Sequence, residues 1–313
     1  MNRREILTGL AAAGLSSSIG RAMAREPSAR VPLGIQFFTI VGANGAKMGW
    51  EKYSDCLAQV RNIGYDGVEL AGFSGYQPGV IRQRAEALGL AIPSVHIGFD
   101  QVFDFLPPPP WNGDTFAQAQ DVVYSPTGVV QLARLLAGPT RDVGAQTAVI
   151  AGGGEANFAT TDSILRFAEA LNRAHVIAAQ KGVALSWHPH SVEFTPRKED
   201  GRTPFDLIVA NTDPAIRYEL DIYWSALGSG QAPQATIRQY ASRLALFHLK
   251  DMDKDRKIAT PGDGTFDFAA IKRAGEAVKN PYYYVERDGA TDPIDTARKA
   301  YTYLHALGYG LRG

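Results

Sequence analysis

The stretch from residue 184 to residue 194 reads ALSWHPHSVEF, and it decides the fold that we expect. Its first half is short and largely apolar, as in a buried strand, and His188 and His190 then follow at alternate positions. Residues two apart on a strand point to the same face, so this spacing predicts both imidazoles on one side. In a parallel barrel the C-terminal strand ends surround the mouth, where active sites lie. We therefore interpret residues 184–190 as a barrel strand that brings two histidines to the mouth.

Seven further segments have strand-like composition, and helical patterns separate most of them. Together with 184–190, the predicted strands are 33–40, 65–70, 91–99, 146–151, 216–224, 243–253 and 282–289. The predicted helices are 50–63, 79–88, one from about 127, 161–181, one ending at 211, 267–279 and 293–307. This alternation is typical of the α/β class and predicts a single (β/α)8 TIM barrel. A doubly wound sheet is the alternative, but its glycine fingerprint is absent, and glycines 152–154 are interpreted as a tight turn.

The composition limits the classes of protein to which the chain can belong. Its 313 residues are 45% hydrophobic, enough for a large core. Lys and Arg together number 32, as do Asp and Glu, so the formal net charge is zero. This balance argues against nucleic acid as a partner, because a nucleic-acid-binding surface is normally basic. Cys56 is the only cysteine in the sequence, which excludes an intramolecular disulfide and a thiolate metal cluster.

Residues 1–24 have the layout of an export signal. Arg3 and Arg4 precede an apolar run of small residues from 6 to 19, and an Ala-x-Ala sequence ends at Ala24. The paired arginines resemble a twin-arginine signal, so we expect a periplasmic protein whose barrel domain is 25–313. The apolar run is too short and too weakly hydrophobic for a membrane span.

The connection at residues 100–126 is much longer than the others in the predicted barrel. It contains four consecutive prolines at 107–110, which favour an extended arm, and Trp111 follows them. A loop of this length within a compact domain is usually functional or disordered. We interpret residues 100–126 as a lid over the mouth, with a passive surface excursion as the alternative.

Polar side chains occur at the predicted C-terminal ends of several strands, where a buried strand would otherwise be apolar. These residues are Glu69, His96, His188, His190, Asp221, His248, Lys250 and Glu286. Each alone has an ordinary explanation, such as a salt-bridge partner or a core histidine. Together, imidazoles and carboxylates from different strands form a mixed N/O ligand set suited to one divalent ion, Mn²⁺, Zn²⁺, Co²⁺ or Fe²⁺. His175 and His305 fall within predicted helices and receive no role.

Five motifs in the C-terminal half resemble the xylose-isomerase-like TIM-barrel superfamily of sugar isomerases and epimerases, especially an exported branch of it. They are WHPHSVEF (187–194), LDIYW (220–224), FHLKDM (247–252), PGDGTFDF (261–268) and YYYVERD (282–288). The resemblance implies one divalent metal, with Mn²⁺ favoured, held at the ends of strands five to eight. The ligands it implies on the last three strands are Asp221, His248 and Glu286. The family's fifth-strand Glu falls at His188, so His188, His190 and Glu193 all stay open as the fourth ligand.

The same resemblance implies proton abstraction from a carbon next to a sugar carbonyl. It suggests His190 as the base, Glu69 and His96 as groups that orient hydroxyls, and Lys250 as a stabiliser of negative charge. A lyase or hydratase acting on 3-keto-sugars or 3-keto-glycosides is a close alternative. A non-catalytic sugar-binding barrel and an abasic-DNA hydrolase are further alternatives, and the balanced charge argues against the last. The expected partner is a sugar or keto-sugar, and a homo-oligomer is left open.

Overall fold

Eight parallel strands close into a barrel within residues 29–42, 48–98, 100–102 and 113–311, which the computed structural model describes. The strands are β1 (Leu33–Gln36), β2 (Gly67–Ala71), β3 (Ser94–Ile97), β4 (Thr147–Ala151), β5 (Ala184–His188), β6 (Arg217–Asp221), β7 (Leu244–Leu249) and β8 (Tyr282–Val285). Because β1 pairs with both β2 and β8, the sheet closes on itself. This closure confirms the predicted (β/α)8 barrel and excludes the doubly wound sheet.

Helices surround the barrel and connect its strands. In the described residues they are Phe38–Val41, Trp50–Ile63, Pro78–Leu88, Gly113–Val123, Pro126–Asp142, Thr161–Gln180, Pro204–Asn211, Ile222–Ser229, Pro233–Tyr240, Phe268–Gly275 and Pro293–Ala306. Capping boxes begin two of them, at Thr160 and Thr203, where loss of the cap would destabilise the fold by about 1 kcal/mol. None of the described helices combines the length and the apolar character needed to cross a membrane.

The alternation of side chains along β5 sends His188 into the barrel. Its neighbour Trp187 is fully buried on the opposite side of the strand, where its ring lies near Phe167 and Phe205. The Trp187 indole Nε1 donates a hydrogen bond to the Gly152 carbonyl at 2.9 Å. With this large ring fixed between strand and helices, the period of two directs the His188 imidazole to the interior.

The predictions 91–99 and 282–289 were wrong at their ends, since the strands are Ser94–Ile97 and Tyr282–Val285. Two further predicted strands are shorter than expected because side chains end them. The prediction 33–40 was wrong beyond Gln36, whose Oε1 accepts the Phe38 N–H at 3.1 Å and starts a helical turn. The prediction 216–224 was wrong beyond Asp221, whose Oδ1 accepts the backbone N–H groups of Tyr223 and Trp224 at 2.8 and 3.0 Å. Asp221 therefore ends β6 and begins the next helix as its N-cap.

The strand predicted at 243–253 is also divided. β7 ends at Leu249, and Asp251–Met252 instead pair in antiparallel fashion with Ile258–Ala259. Asp251 also fixes the segment that follows this strand pair. Its carboxylate accepts hydrogen bonds from the backbone N–H groups of Gly262, Gly264 and Phe266. Lys250 lies at the break between the two pieces, next to the mouth.

The long connection is more regular than the sequence suggested. The interpretation of 100–126 as a loop was wrong for Gly113–Val123, which is helical, whereas the helix predicted from about 127 is confirmed and begins at Pro126. Alanine and glutamine in this segment favour a helix, and the Ser125 hydroxyl caps the next one. The four prolines and Trp111 lie outside the described residues, as does the predicted export signal.

Candidate active site

A cavity of about 260 Å³ opens at the C-terminal ends of the barrel strands. Its apolar wall consists of Phe38, Val102, Tyr124, Ala151 and Trp224. Its polar lining consists of His96, Gln120, His188, His190, Lys250, Glu286 and Asp288. The described parts of the 100–126 connection contribute Val102, Gln120 and Tyr124, so this connection does border the mouth. An apolar wall with a few convergent polar groups is typical of a small-molecule site.

His188 and His190 both line the cavity. The prediction that both lie on one strand was wrong. β5 ends at His188, and His190 lies beyond it, with its backbone N–H donating to Glu193 Oε2 at 3.1 Å. The two imidazole centroids are 5.1 Å apart. Burial lowers the pKa of His190 well below its usual value, so the ring is neutral at pH 7 and is a weaker base than a free imidazole.

The predicted tight turn at glycines 152–154 makes room for His190. Gly152 has φ +97°, and a Cβ at this position would lie 2.7 Å from His190 Cε1. Any larger residue would therefore be strained and would displace the imidazole. The turn thus has a structural role beside the cavity.

Asp221, His248 and Glu286 converge from β6, β7 and the end of β8, as the sequence predicted. One donor atom from each lies within 4.8 Å of the others, and all three residues are buried. The His248 Nδ1 is 2.5 Å from Glu286 Oε2. The buried Oδ2 of Asp221 makes no hydrogen bond within the described structure, although the Lys250 ammonium is 3.0 Å away. These N and O donors fit a divalent transition-metal ion. Two of them, the carboxylates of Asp221 and Glu286, also form ion pairs with Lys250.

Lys250 is a buried cation surrounded by three carboxylates. Its Nζ lies 3.0 Å from Asp221 Oδ2, 2.9 Å from Glu286 Oε2 and 2.9 Å from Asp288 Oδ2. Burial alone would lower the pKa of Lys250, but these carboxylates outweigh it and raise the pKa well above its usual value. Lys250 is therefore a permanent positive charge beside the cavity and lies 5.2 Å from the Trp224 ring centroid.

Glu69 does not line the cavity, although the sequence suggested that it orients substrate hydroxyls. Its Oε2 is 2.6 Å from His248 Nε2 and 2.9 Å from Gln36 Nε2, and the side chain is fully buried. Its other oxygen accepts a hydrogen bond from Ser94 Oγ. Glu69 is therefore placed to orient the His248 imidazole rather than the hydroxyls of a substrate.

His96 reaches the cavity from β3 and contacts carboxylates on its inner side. Its Nε2 is 2.7 Å from Glu219 Oε2 and 3.1 Å from Glu69 Oε2. Burial would lower the pKa of His96, but the two carboxylates raise it to about 9. In contrast, burial lowers the pKa of His188 to about 3, despite its hydrogen bond to Glu219. The two rings therefore differ in protonation at pH 7, and only His96 is charged.

Sequence reasoning missed Glu219 and Asp288. Glu219 is fully buried on β6, two residues before Asp221, so both project into the barrel. This period of two was visible in the sequence and could have identified Glu219. Asp288 follows β8 in a loop, where no periodicity indicates which way a side chain points. His175 and His305 are in helices, as predicted.

The fold and site define a closed parallel barrel with a mouth cavity above a buried mixed N/O cluster. Residues 57–305 match the model of the family described as xylose isomerase-like TIM barrel. This match covers well over half of the chain, which therefore belongs to that family. The resemblance seen in the C-terminal motifs is confirmed at this level.

Sequence relatives of this chain include enzymes named inosose dehydratase. The one from Clostridium perfringens is 26% identical over 159 residues, which cover 44% of this chain and 52% of that protein. The chain thus spans about half the length of the named relatives that it matches. Another, from Geobacillus kaustophilus, is 26% identical over 165 residues, covering 46% of this chain and 52% of the relative.

Solved structures with low sequence identity share the whole barrel. A sugar phosphate isomerase/epimerase from Parabacteroides distasonis superposes with a TM-score of 0.69 at 20% identity, covering 88% of this chain and 98% of that one. A structure of L-ribulose 3-epimerase gives a TM-score of 0.64 at 20% identity, covering 90% and 94%. At such identities the likeness establishes the fold alone.

Proposed function

We propose that this protein is a divalent-metal-dependent sugar isomerase or epimerase that abstracts a proton from the carbon next to a carbonyl. The observation that carries this proposal is the convergence of Asp221, His248 and Glu286 beside a cavity that His190 and Lys250 line. Membership of the xylose isomerase-like family supports it. A charge-stabilising centre and a base on one cavity are the two parts that such chemistry requires.

Asp221, His248 and Glu286 would hold the ion, and the fourth ligand stays open among His188, His190 and Glu193. When bound, a divalent ion supplies a Lewis acid that polarises a carbonyl and stabilises negative charge. Manganese is favoured on the family resemblance. Glu69 contacts His248 at Nε2, the ring nitrogen opposite the one that faces Glu286, and so fixes the orientation of this imidazole.

His190 is the base in this proposal. It lines the cavity and stands on a loop whose backbone Glu193 holds, so its imidazole is placed to take a proton from a bound sugar. Lys250 supplies fixed positive charge for the electron density that proton removal leaves behind. Trp224 and Phe38 provide apolar surface on which the C–H face of a sugar ring can pack, and the cavity volume suits a monosaccharide-sized ligand.

A lyase that eliminates water from a keto-sugar or keto-cyclitol is the second candidate. The observation that favours it is His96, which lines the cavity and whose pKa of about 9 keeps it protonated at neutral pH. A protonated imidazole can donate a proton to a departing hydroxyl after the neighbouring C–H proton is removed. The relatives named inosose dehydratase support the same reaction class.

The products formed from a panel of keto-sugars and keto-cyclitols test the proposal and separate its two forms. The purified protein, supplied with Mn²⁺, Co²⁺ or Zn²⁺ in turn, should yield isomers or epimers of unchanged mass in the first case. In the second case it should yield dehydrated products of lower mass. Asp221→Asn should abolish turnover, whereas the helix variant His175→Ala should retain it. Binding of sugars without any product would indicate the non-catalytic alternative instead.

A further inference from the structure

Glu219 lies among three imidazoles inside the barrel. Its Oε2 is 2.7 Å from His96 Nε2, 3.0 Å from His188 Nδ1 and 3.3 Å from His248 Nε2. The four residues come from β3, β5, β6 and β7, and one donor atom from each lies within 4.8 Å of all the others. We propose that His96, His188, Glu219 and His248 form a second metal-binding site, here called the inner site.

The spacing of the donors fits a single ion. Two ligands bound to a tetrahedral ion at about 2.0–2.1 Å are about 3.3 Å apart. The contacts of Glu219 with the three rings, at 2.7 to 3.3 Å, are near this value, so small rotations of the rings would complete the site. Three imidazoles and one carboxylate suit Zn²⁺ or Co²⁺ rather than Mg²⁺ or Ca²⁺, which prefer oxygen donors.

Glu219 also has an unused oxygen. Its side chain is fully buried, and within the described structure its Oε1 has no hydrogen-bond partner. A buried carboxylate oxygen without a partner is unfavourable by an amount comparable to a lost hydrogen bond or more. A cation that the carboxylate binds would remove this penalty, since both of its oxygens could then face positive charge.

The inner site and the Asp221, His248 and Glu286 group use opposite sides of one ring. His248 Nδ1 faces Glu286, whereas its Nε2 faces Glu219 and Glu69. Asp221 and Glu286 belong only to the outer group (Asp221, His248 and Glu286), and His96 and Glu219 belong only to the inner site. His248 is common to both, and His188 is also one of the residues open as the fourth ligand of the outer group. Substitutions can therefore remove one group of ligands and leave the other intact.

Cobalt binding to the full-length chain tests the inner site. The protein is stripped of metal and titrated with Co²⁺, and bound cobalt is measured by elemental analysis and visible absorption. Asp221→Asn should keep about one equivalent of cobalt with the intense absorption of a four-coordinate ion. Glu219→Gln should lose that absorption and bind this ion more than about 100-fold more weakly, because loss of a direct ligand exceeds the effect of an outer-shell partner. His175→Ala is the matched control and should behave as the wild type.

Two results would overturn the inner site. One is a folded Glu219→Gln protein whose cobalt stoichiometry and spectrum equal those of the wild type. The other is an Asp221→Asn protein that is folded and binds no four-coordinate cobalt, and this outcome decides the matter even if Glu219→Gln fails to fold. The inner site shares His248 and His96 with the proposed function: an ion bound there would replace the contact of His248 Nε2 with Glu69, and a metal-bound His96 could not be the protonated acid of the lyase. The two are tested separately, the outer group by turnover in Asp221→Asn and the inner site by the cobalt that this variant retains.

Discussion

Glu193 is a buried carboxyl group whose protonation should make the stability of the protein depend on pH. Its side chain is fully buried beneath the His190 loop, where Oε2 accepts the His190 N–H at 3.1 Å. Its Oε1 has no hydrogen-bond partner in the described part of the chain. Burial raises the pKa of Glu193 from 4.5 to about 8. The carboxyl is therefore protonated at neutral pH in the folded protein and ionised in the unfolded chain.

The sign and size of the effect follow from these two pKa values. Between pH 4.5 and about 8 the folded state holds a proton that the unfolded state has released, so stability falls as pH rises. The contribution is fully present below pH 4.5 and is lost as pH rises through about 8. At 1.36 kcal/mol per pH unit, the free energy of unfolding would decrease by on the order of 5 kcal/mol across this interval.

Glu193→Gln removes the titration and keeps the size of the side chain. Urea unfolding of both proteins from pH 5 to pH 8.5 should show that the variant gains stability relative to the wild type as pH rises. Glu199→Gln, at a side chain that is 71% exposed, should show little change. A difference that stays constant with pH would refute the reasoning. An ionised, metal-bound Glu193 would give such a constant difference, because above pH 5 the carboxyl would then be ionised in both the folded and the unfolded state.

Three further predictions concern the outer group, the export signal and the proline arm. Asp221→Ala should remove most of the metal bound by the outer group and nearly all activity, but should not unfold the barrel, because the core layers lie below the ligands. His175→Ala should keep both the metal and the activity. Elemental analysis measures the bound metal of each variant, and circular dichroism measures its fold. Replacing Arg3 and Arg4 by Lys should leave the precursor in the cytoplasm, and processed periplasmic protein from this variant would contradict the export proposal. Deleting residues 107–112 should raise KM or lower kcat with Tm nearly unchanged, and unaltered kinetics would rule out a lid.

The barrel could be predicted because its strands and caps are encoded locally. Alternation places Trp187 among the helices and His188 inside the barrel, and the same period applies to Glu219 and Asp221. Strand ends were less predictable, because they depend on side-chain contacts with the backbone. The carboxylate of Asp221 ends β6 by capping a helix, which composition alone does not distinguish from a longer strand.

The contacts within the site depend on how strands far apart in the sequence are staggered around the barrel. His96 meets Glu219 across 123 residues of chain, and Glu69 meets His248 across 179. The stagger of a closed barrel sets these pairs, and one strand's sequence carries little information about it. For this reason the sequence predicted which residues gather at the mouth but gave Glu69 a role in substrate binding that its contacts do not favour.

Deuterium exchange tests the proposed proton abstraction most directly. The metal-loaded protein is incubated in D₂O with a keto-sugar that the product screen identifies, and NMR follows the C–H next to the carbonyl. The proposed function predicts enzyme-dependent loss of this proton signal, with a rate that falls by about 100-fold or more in His190→Asn, as expected when a general base is removed. Turnover of the sugar without any exchange at that carbon, or exchange at the wild-type rate in His190→Asn, would contradict the proposed role of His190.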